Sequence, residues 1–257
     1  MSLQRIKAIA SNVFREIVRE NLLYFIVFYA ILMVIAVILL PQVSLGNQSK
    51  ILFDFGLAFT SLSSVFVAIF IGSGLLNKEI DKRTILSLLP KPISRTEIVF
   101  GKHIGLLFVQ LVLIASMTLL LLVGLYIFKD TYNFTGILLA QSFLLLEVAI
   151  LIAFALLFGS FTSSLLTALL TLGIYLAGHL SSDLFSLGRF GKNQTLVNVL
   201  HSLYLFLPDL ERLNLKNRAF YGDHFEAPSL FLDLSYALIY TLVLLVISIV
   251  IFSRREF

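Results

Sequence analysis

The sequence contains no cysteine and no tryptophan among its 257 residues. Disulfide cross-links and thiolate metal sites are thereby excluded. Charge is also scarce, at 13% of residues against roughly 25% in ordinary soluble domains. A chain that is 59% hydrophobic has too few polar groups to cover a water-facing surface. Sequence signatures of chemistry are missing too. There is no G-x-x-x-x-G-K-[ST] loop, because Gly101-Lys102-His103 lacks the upstream glycine spacing and the hydroxyl residue, so no ATP site is expected on this chain. The Gly-x-Ser-x-Gly elbow of serine hydrolases is absent. His103, His179, His201 and His224 show no metal-ligand spacing, so neither a catalytic residue nor a metal site is assigned. A net charge of +4 is too small to point to nucleic acid, and no internal repeat is visible.

What the chain does have is six continuous apolar runs, about Asn21–Leu40, Phe55–Leu76, Ile104–Phe128, Gly136–Phe158, Leu165–Phe185 and Leu230–Phe252. Each is about 20 to 25 residues long, enough for a tilted helix to cross a hydrocarbon core of roughly 30 Å. Barrel strands would be shorter and would alternate. The expected fold is therefore an all-α integral membrane protein, a single transmembrane domain over 1–257 with six spans. The first run is long and starts only at Asn21 without a cleavage site ahead of it, which reads as a retained helix, not a signal peptide. Twelve of the nineteen Lys and Arg residues fall in the N-terminal segment, the loop Asn77–His103 and the C-terminal tail. The positive-inside rule then places both termini in the cytoplasm, in a plasma membrane or bacterial inner membrane.

Residues 1–20 form an amphipathic pattern: Leu3, Ile6, Ala10, Val13, Phe14 and Ile17 fall on one face and Arg5, Asn12, Arg15, Glu16 and Arg19 on the other. Such a helix suits the membrane interface, with lipid headgroups near its basic face. Between spans five and six, Ser186–Ser229 is too polar to cross the membrane. Leu196, Val199, Leu200, Leu203 and Leu207 share one helical face there, giving an interfacial or re-entrant helix that Pro208 ends. Asn47-Gln48-Ser49 and Asn133-Phe134-Thr135 match the glycosylation sequon, a pattern short enough to arise by chance.

The loop Asn77–His103 reads NKEIDKRTILSLLPKPISRTEIVFGKH. Its apolar middle, Ile85, Leu86, Leu88 and Leu89, suits a short helix along the membrane surface, and Pro90 and Pro92 stop it. Ser94-x-x-Glu97 has capping-box spacing for a new helix leading into span three. The order E-I-D-K-R-T-I-x-x-L-L-x-K-P-I-S-R-x-E-I-x-x-G-K resembles the first cytoplasmic loop of ABC-2-type permeases, the membrane subunits of many ATP-driven exporters. The resemblance covers most of the chain and includes the short second cytoplasmic loop Gly159–Ser164, the long external segment and the Arg-rich end. It implies that this loop is a coupling helix docked on a separate ATPase subunit, which would carry ATP and Mg. Glu79, Asp81, Lys82, Arg83, Thr84, Leu88, Leu89, Pro92, Arg95, Gly101 and Lys102 fall on the motif. It also implies pairing with a second permease subunit, as a homo- or heterodimer, and export of a hydrophobic or amphiphilic molecule. Arg83 stands where many members have glycine, a departure similar to the copper-enzyme-maturation branch.

Polar residues inside the spans are the remaining candidates. Glu147, mid-way along span four, is expensive in hydrocarbon unless protonated, paired or turned to a polar interior. It reads either as a substrate-path or gating residue, with Gln141 and Ser142 extending a polar stripe, or as a carboxyl bonded to a neighbouring helix. An ion- or proton-coupled secondary transporter using Glu147 is the alternative function. His179 and Asp183 sit four apart at the end of span five and would pair there. In span two Thr60, Ser61, Ser63, Ser64, Gly72, Ser73 and Gly74 permit close helix approach, within the chain or at a subunit interface.

Overall fold

A run of apolar residues in hydrocarbon can satisfy its backbone polar groups only within its own helix, and this requirement organises the computed structural model. It describes residues 2–19, 23–43, 48–81, 94–128, 132–190, 207–221 and 227–254. The elements are α1 (Leu3–Ile17), α2 (Leu23–Val43), α3 (Gln48–Phe66), a π-helical turn (Val67–Ile71), α4 (Gly72–Asp81), α5 (Arg95–Phe128), α6 (Phe134–Gly159), α7 (Ser164–Phe190), α8 (Lys216–Tyr221) and α9 (Ala227–Arg254). Among the described residues all regular structure is helical. Six stretches are long and apolar enough to cross a membrane: Leu23–Gln42, Gln48–Leu76, Arg95–Phe128, Phe134–Gly159, Ser164–Ser181 and Ala227–Arg254.

The central element is α6, which packs on α4, α5, α7, α8 and α9. Val148, Ile150, Leu151, Ile152 and Ala153 are all fully buried, so this stretch of the helix is apolar on every side because every side meets protein. In α2, by contrast, Val27, Ile31, Val34 and Ile38 face outward, as a lipid-exposed span requires. Asn133 caps the start of α6, its Oδ1 accepting the Gly136 N–H at 3.0 Å, which gives the asparagine of that sequon a structural role. A short turn at 160–163 joins α6 to α7, closed by Thr162 N–H to the Phe158 carbonyl at 2.9 Å.

Polar residues on α5 stitch the bundle from within. Gln110 Nε2 donates to the Ser64 carbonyl at 2.9 Å, His103 Nε2 lies 3.1 Å from the Ala149 carbonyl, and the Lys102 ammonium donates to the Leu75 carbonyl. Thr60, Ser61, Ser63, Ser64 and Ser73 are buried inside the chain, and a Cβ on Gly72 would lie 3.2 Å from Ala155 Cβ. The small residues of span two therefore serve internal packing, which leaves them no surface for a subunit interface.

The apolar face of α1 lies on α5. Ile6, Ala10, Val13 and Ile17 are buried there, whereas Leu3 is 84% exposed. Approach this close is set by Gly101 and Gly105, one turn apart on α5. A Cβ on Gly101 would lie 2.8 Å from Ile9 Cβ, and one on Gly105 would lie 2.9 Å from both the Ala10 carbonyl and Val13 Cβ. Gly101-x-x-x-Gly105 is thus a small-xxx-small contact at the end of a span, where the sequence reading saw only a Gly-Lys pair of the loop motif. One end of the bundle, called the near end below, holds α1, the start of α5, the 160–163 turn and the end of α9. The far end holds the start of α6 and α8.

Gly105→Ala should push α1 off its seat. The expected outcome is faster proteolysis at Arg5 and Lys7 and a loss of stability of about 1–3 kcal/mol, the usual scale of overpacking. Gly173, with nothing within 4 Å of its would-be Cβ, is the control, and Gly173→Ala should be neutral or slightly stabilising. Equal protection of α1 in both variants would count against the glycine seat.

Candidate functional site

At the near end, Arg95 and Glu97, two positions apart in sequence, hold three helix termini. Ser94 begins α5 as the spacing predicts: Glu97 N–H donates to Ser94 Oγ at 3.2 Å, and Ser94 N–H donates to Glu97 Oε2 at 3.1 Å. The same carboxylate also receives the Ser2 N–H on Oε1 at 2.7 Å, with Arg5 3.8 Å from Oε2. One buried side chain therefore caps the start of α5 and the start of α1. Arg95 points the other way. Its guanidinium donates to the carbonyls of Phe252 at 2.6 Å and Ser253 at 2.8 Å, and lies 5.9 Å over the Phe252 ring. The last carbonyls of a helix lack intrahelical donors and carry partial negative charge, so an arginine is well placed on them.

The other motif residues divide by position. Glu79 and Asp81 lie in the last turns of α4. Lys82, Arg83, Thr84, Leu88, Leu89 and Pro92 lie outside the described residues, and with them the proposed coupling helix. Gly101 is covered by α1, and Lys102 is 2% exposed, so both face the bundle interior.

A second constellation surrounds Glu147, which is 1% exposed at the middle of α6. His179 of α7 bridges it to the segment that follows. His179 Nε2 lies 3.0 Å from Glu147 Oε1, and Nδ1 lies 3.0 Å from Glu211 Oε2. Both ring nitrogens are therefore engaged by partners other than Asp183, which lies one turn further along α7 and whose side chain falls outside the described ones. Glu147 therefore has a partner on the neighbouring helix α7.

Glu211 arrives on a re-entrant segment, residues 207–221. Leu210 N–H donates to the Gly178 carbonyl at 3.2 Å, and Lys216 Nζ donates to Ser61 Oγ at 2.6 Å. Ala219 then packs on Gly136, where a Cβ would lie 2.5 Å from the Ala219 carbonyl. The segment runs alongside α6 from the level of Glu147 up to the far end, about 16 Å by helical rise. Non-helical backbone at that depth is tolerated because protein surrounds it. Asp209 N–H to Tyr236 OH at 2.9 Å, and Arg212 at 3.6 Å from Asp233, tie it to α9 as well. Burial pushes the Lys216 ammonium below the usual lysine range, while Glu147 and Glu211 pull it back up. The interfacial or re-entrant helix expected on the leucine face at 196–207 lies outside the described residues except for Leu207.

Gln141 lines a groove of about 330 Å³ between α5 and α6, together with Thr118, Leu122, Leu138 and Ser142. Its Oε1 is buried without a hydrogen-bond partner. Among the described residues no cluster suited to a metal ion occurs.

A family model described as "ABC-2 family transporter protein" matches residues 7–257, and no curated protein matches the chain. With nearly its whole length matched, the chain belongs to the ABC-2 transporter family.

Removing His179 strands a carboxyl that no water reaches. His179→Ala is expected to lower stability by about 3–5 kcal/mol, whereas the apolar pair Glu147→Leu with His179→Leu should recover most of that loss. Thermal unfolding in detergent checks both, and a His179→Ala protein as stable as the native one would contradict the bridge.

Proposed function

We propose that this permease is the driven half of an ATP-powered exporter whose ATPase is a separate chain. The observation that supports it most is the grip of Arg95 and Glu97 on the starts of α1 and α5 and the end of α9. An ATPase docked on the loop 77–94 would pull on Ser94 and Arg95 and so on three membrane helices at once. In this reading Glu79, Asp81 and the residues between 82 and 92 meet the ATPase. Gly101 and Lys102 transmit the movement by packing and do not dock. ATP and Mg belong to the partner.

The near end is then cytoplasmic, in a plasma membrane or bacterial inner membrane, with the re-entrant segment outside. Two such subunits, identical or different, would enclose the path. ATP-driven closure of the ATPases would bias the bundle between two states, as a ligand with unequal affinity for them must. The groove beside Gln141 is mainly apolar, which suits a hydrophobic or amphiphilic cargo. The departure at Arg83 keeps the copper-enzyme-maturation branch as the subgroup to compare first.

The test is purification with candidate ATPases encoded nearby. A stable complex is expected, with substrate-stimulated ATP hydrolysis. Arg95→Ala and Glu79→Ala should leave the complex assembled and reduce the stimulation by about tenfold, equivalent to roughly 1.4 kcal/mol of lost coupling. Failure to form any complex, together with proton-driven uptake by this chain alone, would favour a secondary transporter.

A further inference from the structure

His179 poses a proton-counting problem. A neutral imidazole has one N–H and one lone pair, so it can donate to one carboxylate only. Both of its nitrogens nevertheless lie 3.0 Å from carboxylate oxygens. Two bonds of that length require a proton on each line. Either the ring is an imidazolium between two carboxylates, or it is neutral and one carboxyl is protonated. Both assignments hold one proton more than a neutral ring with two ionised carboxylates. Without that proton, a lone pair faces an anionic oxygen at hydrogen-bond distance, with Glu147 too buried for water to intervene.

We propose that Glu147, His179 and Glu211 form a one-proton binding site, and that the bound proton latches the re-entrant segment 207–221 against α6 and α7. The charges around it fit one added proton. From α6 the ring faces Glu147, and from the re-entrant segment it faces Glu211. The Lys216 ammonium acts on both carboxylates and has its own bond to Ser61. From its own helix the ring meets Tyr175, 4.7 Å away. The π-turn and α4 also pack on α7; residues 67–76 carry no titratable side chain, and Lys78, Glu79 and Asp81 follow in the last turns of α4. With the proton bound the trio carries one net negative charge, which Lys216 offsets. Without it the trio carries two.

The proton comes from bulk water by way of Glu211, the 43% exposed member. It leaves the same way, and no other bond forms or breaks. The Glu211 contact is also the one free to part, since Glu147 and His179 sit on packed helices. The sign follows from linkage. The latched form binds more protons than the released form, so acid closes the latch and alkali opens it, with a limit of about tenfold per pH unit for one proton. The geometry stands independently of the transport assignment and takes from it only that the far end faces outward.

Leu213, a fully buried residue of the segment, reports on the latch, and the absence of native cysteine makes Leu213→Cys the sole thiol. The full chain in lipid nanodiscs would be labelled with a membrane-impermeant maleimide from about pH 5.5 to about pH 9, bracketing histidine titration. The reference is the same cysteine with Glu211→Gln. A glutamine amide can donate to the ring's lone pair, so that variant stays latched without the extra proton. Dividing one labelling rate by the other cancels thiol chemistry. The ratio is expected to rise at least about fivefold with pH, and never faster than about tenfold per unit. A flat ratio overturns the proposal, and a steeper one overturns its single proton. Should Leu213→Cys fail to fold, hydrogen exchange of residues 210–215 in the native chain and in Glu211→Gln gives the same ratio with the same two readings. Neither measurement involves an ATPase, so failure here leaves the transport assignment untouched, and absence of an ATPase complex leaves the latch standing.

Discussion

A carboxyl group in the middle of an apolar helix must find hydrogen-bond partners inside the protein, because leaving water costs several kcal/mol that no lipid chain returns. Glu147 meets this requirement through His179, and His179 in turn draws in Glu211. The consequence extends beyond a single bond. Glu211 can reach His179 only if the chain between α7 and α9 descends into the bundle. That descent brings Lys216 to Ser61, Ala219 to Gly136 and Arg212 to Asp233. The central helix, the re-entrant segment, α3 and the start of α9 are thus assembled around one withdrawn carboxyl.

The near end is governed by a different economy, in which helix termini are used as handles. N–H groups at the starts of α1 and α5 converge on Glu97, and carbonyls at the end of α9 converge on Arg95. These bonds are polar and lie where the bundle ends, while the seat of α1 on Gly101 and Gly105 is purely steric. The two kinds of contact act on the same helix from adjacent turns. Moving the start of α5 without moving α1 would require breaking both.

Span number and helical class were legible because uninterrupted apolar runs of membrane length have no other stable form. The Ser94 and Glu97 box was legible because both partners lie within one turn. Glu147 stood out as the one acidic residue in its run, but its partner did not. His179 is 32 residues from it and Glu211 another 32, and local spacing pointed His179 at Asp183 instead. Lys102 reads as part of the coupling-loop motif, yet its side chain is buried and its ammonium donates to the Leu75 carbonyl. The second roles of Glu97 and Arg95 were equally hidden, since each depends on a helix end more than ninety residues away. What sequence periodicity misses here is long-range pairing between termini and isolated polar groups, which leaves no local repeat.

The π-turn at Val67–Ile71 has a mechanical consequence of its own. One extra residue in a turn rotates everything beyond it by about 100° relative to an unbroken α-helix. Residues 48–66 and 72–81 therefore cannot present a single continuous stripe. The first part rests on α5, and the second rests on α6 and α7. A straight rod transmits a push to one neighbour, whereas this one behaves as a crankshaft with two offset throws. The span that ends at Asp81 thus braces different neighbours with different faces along its length.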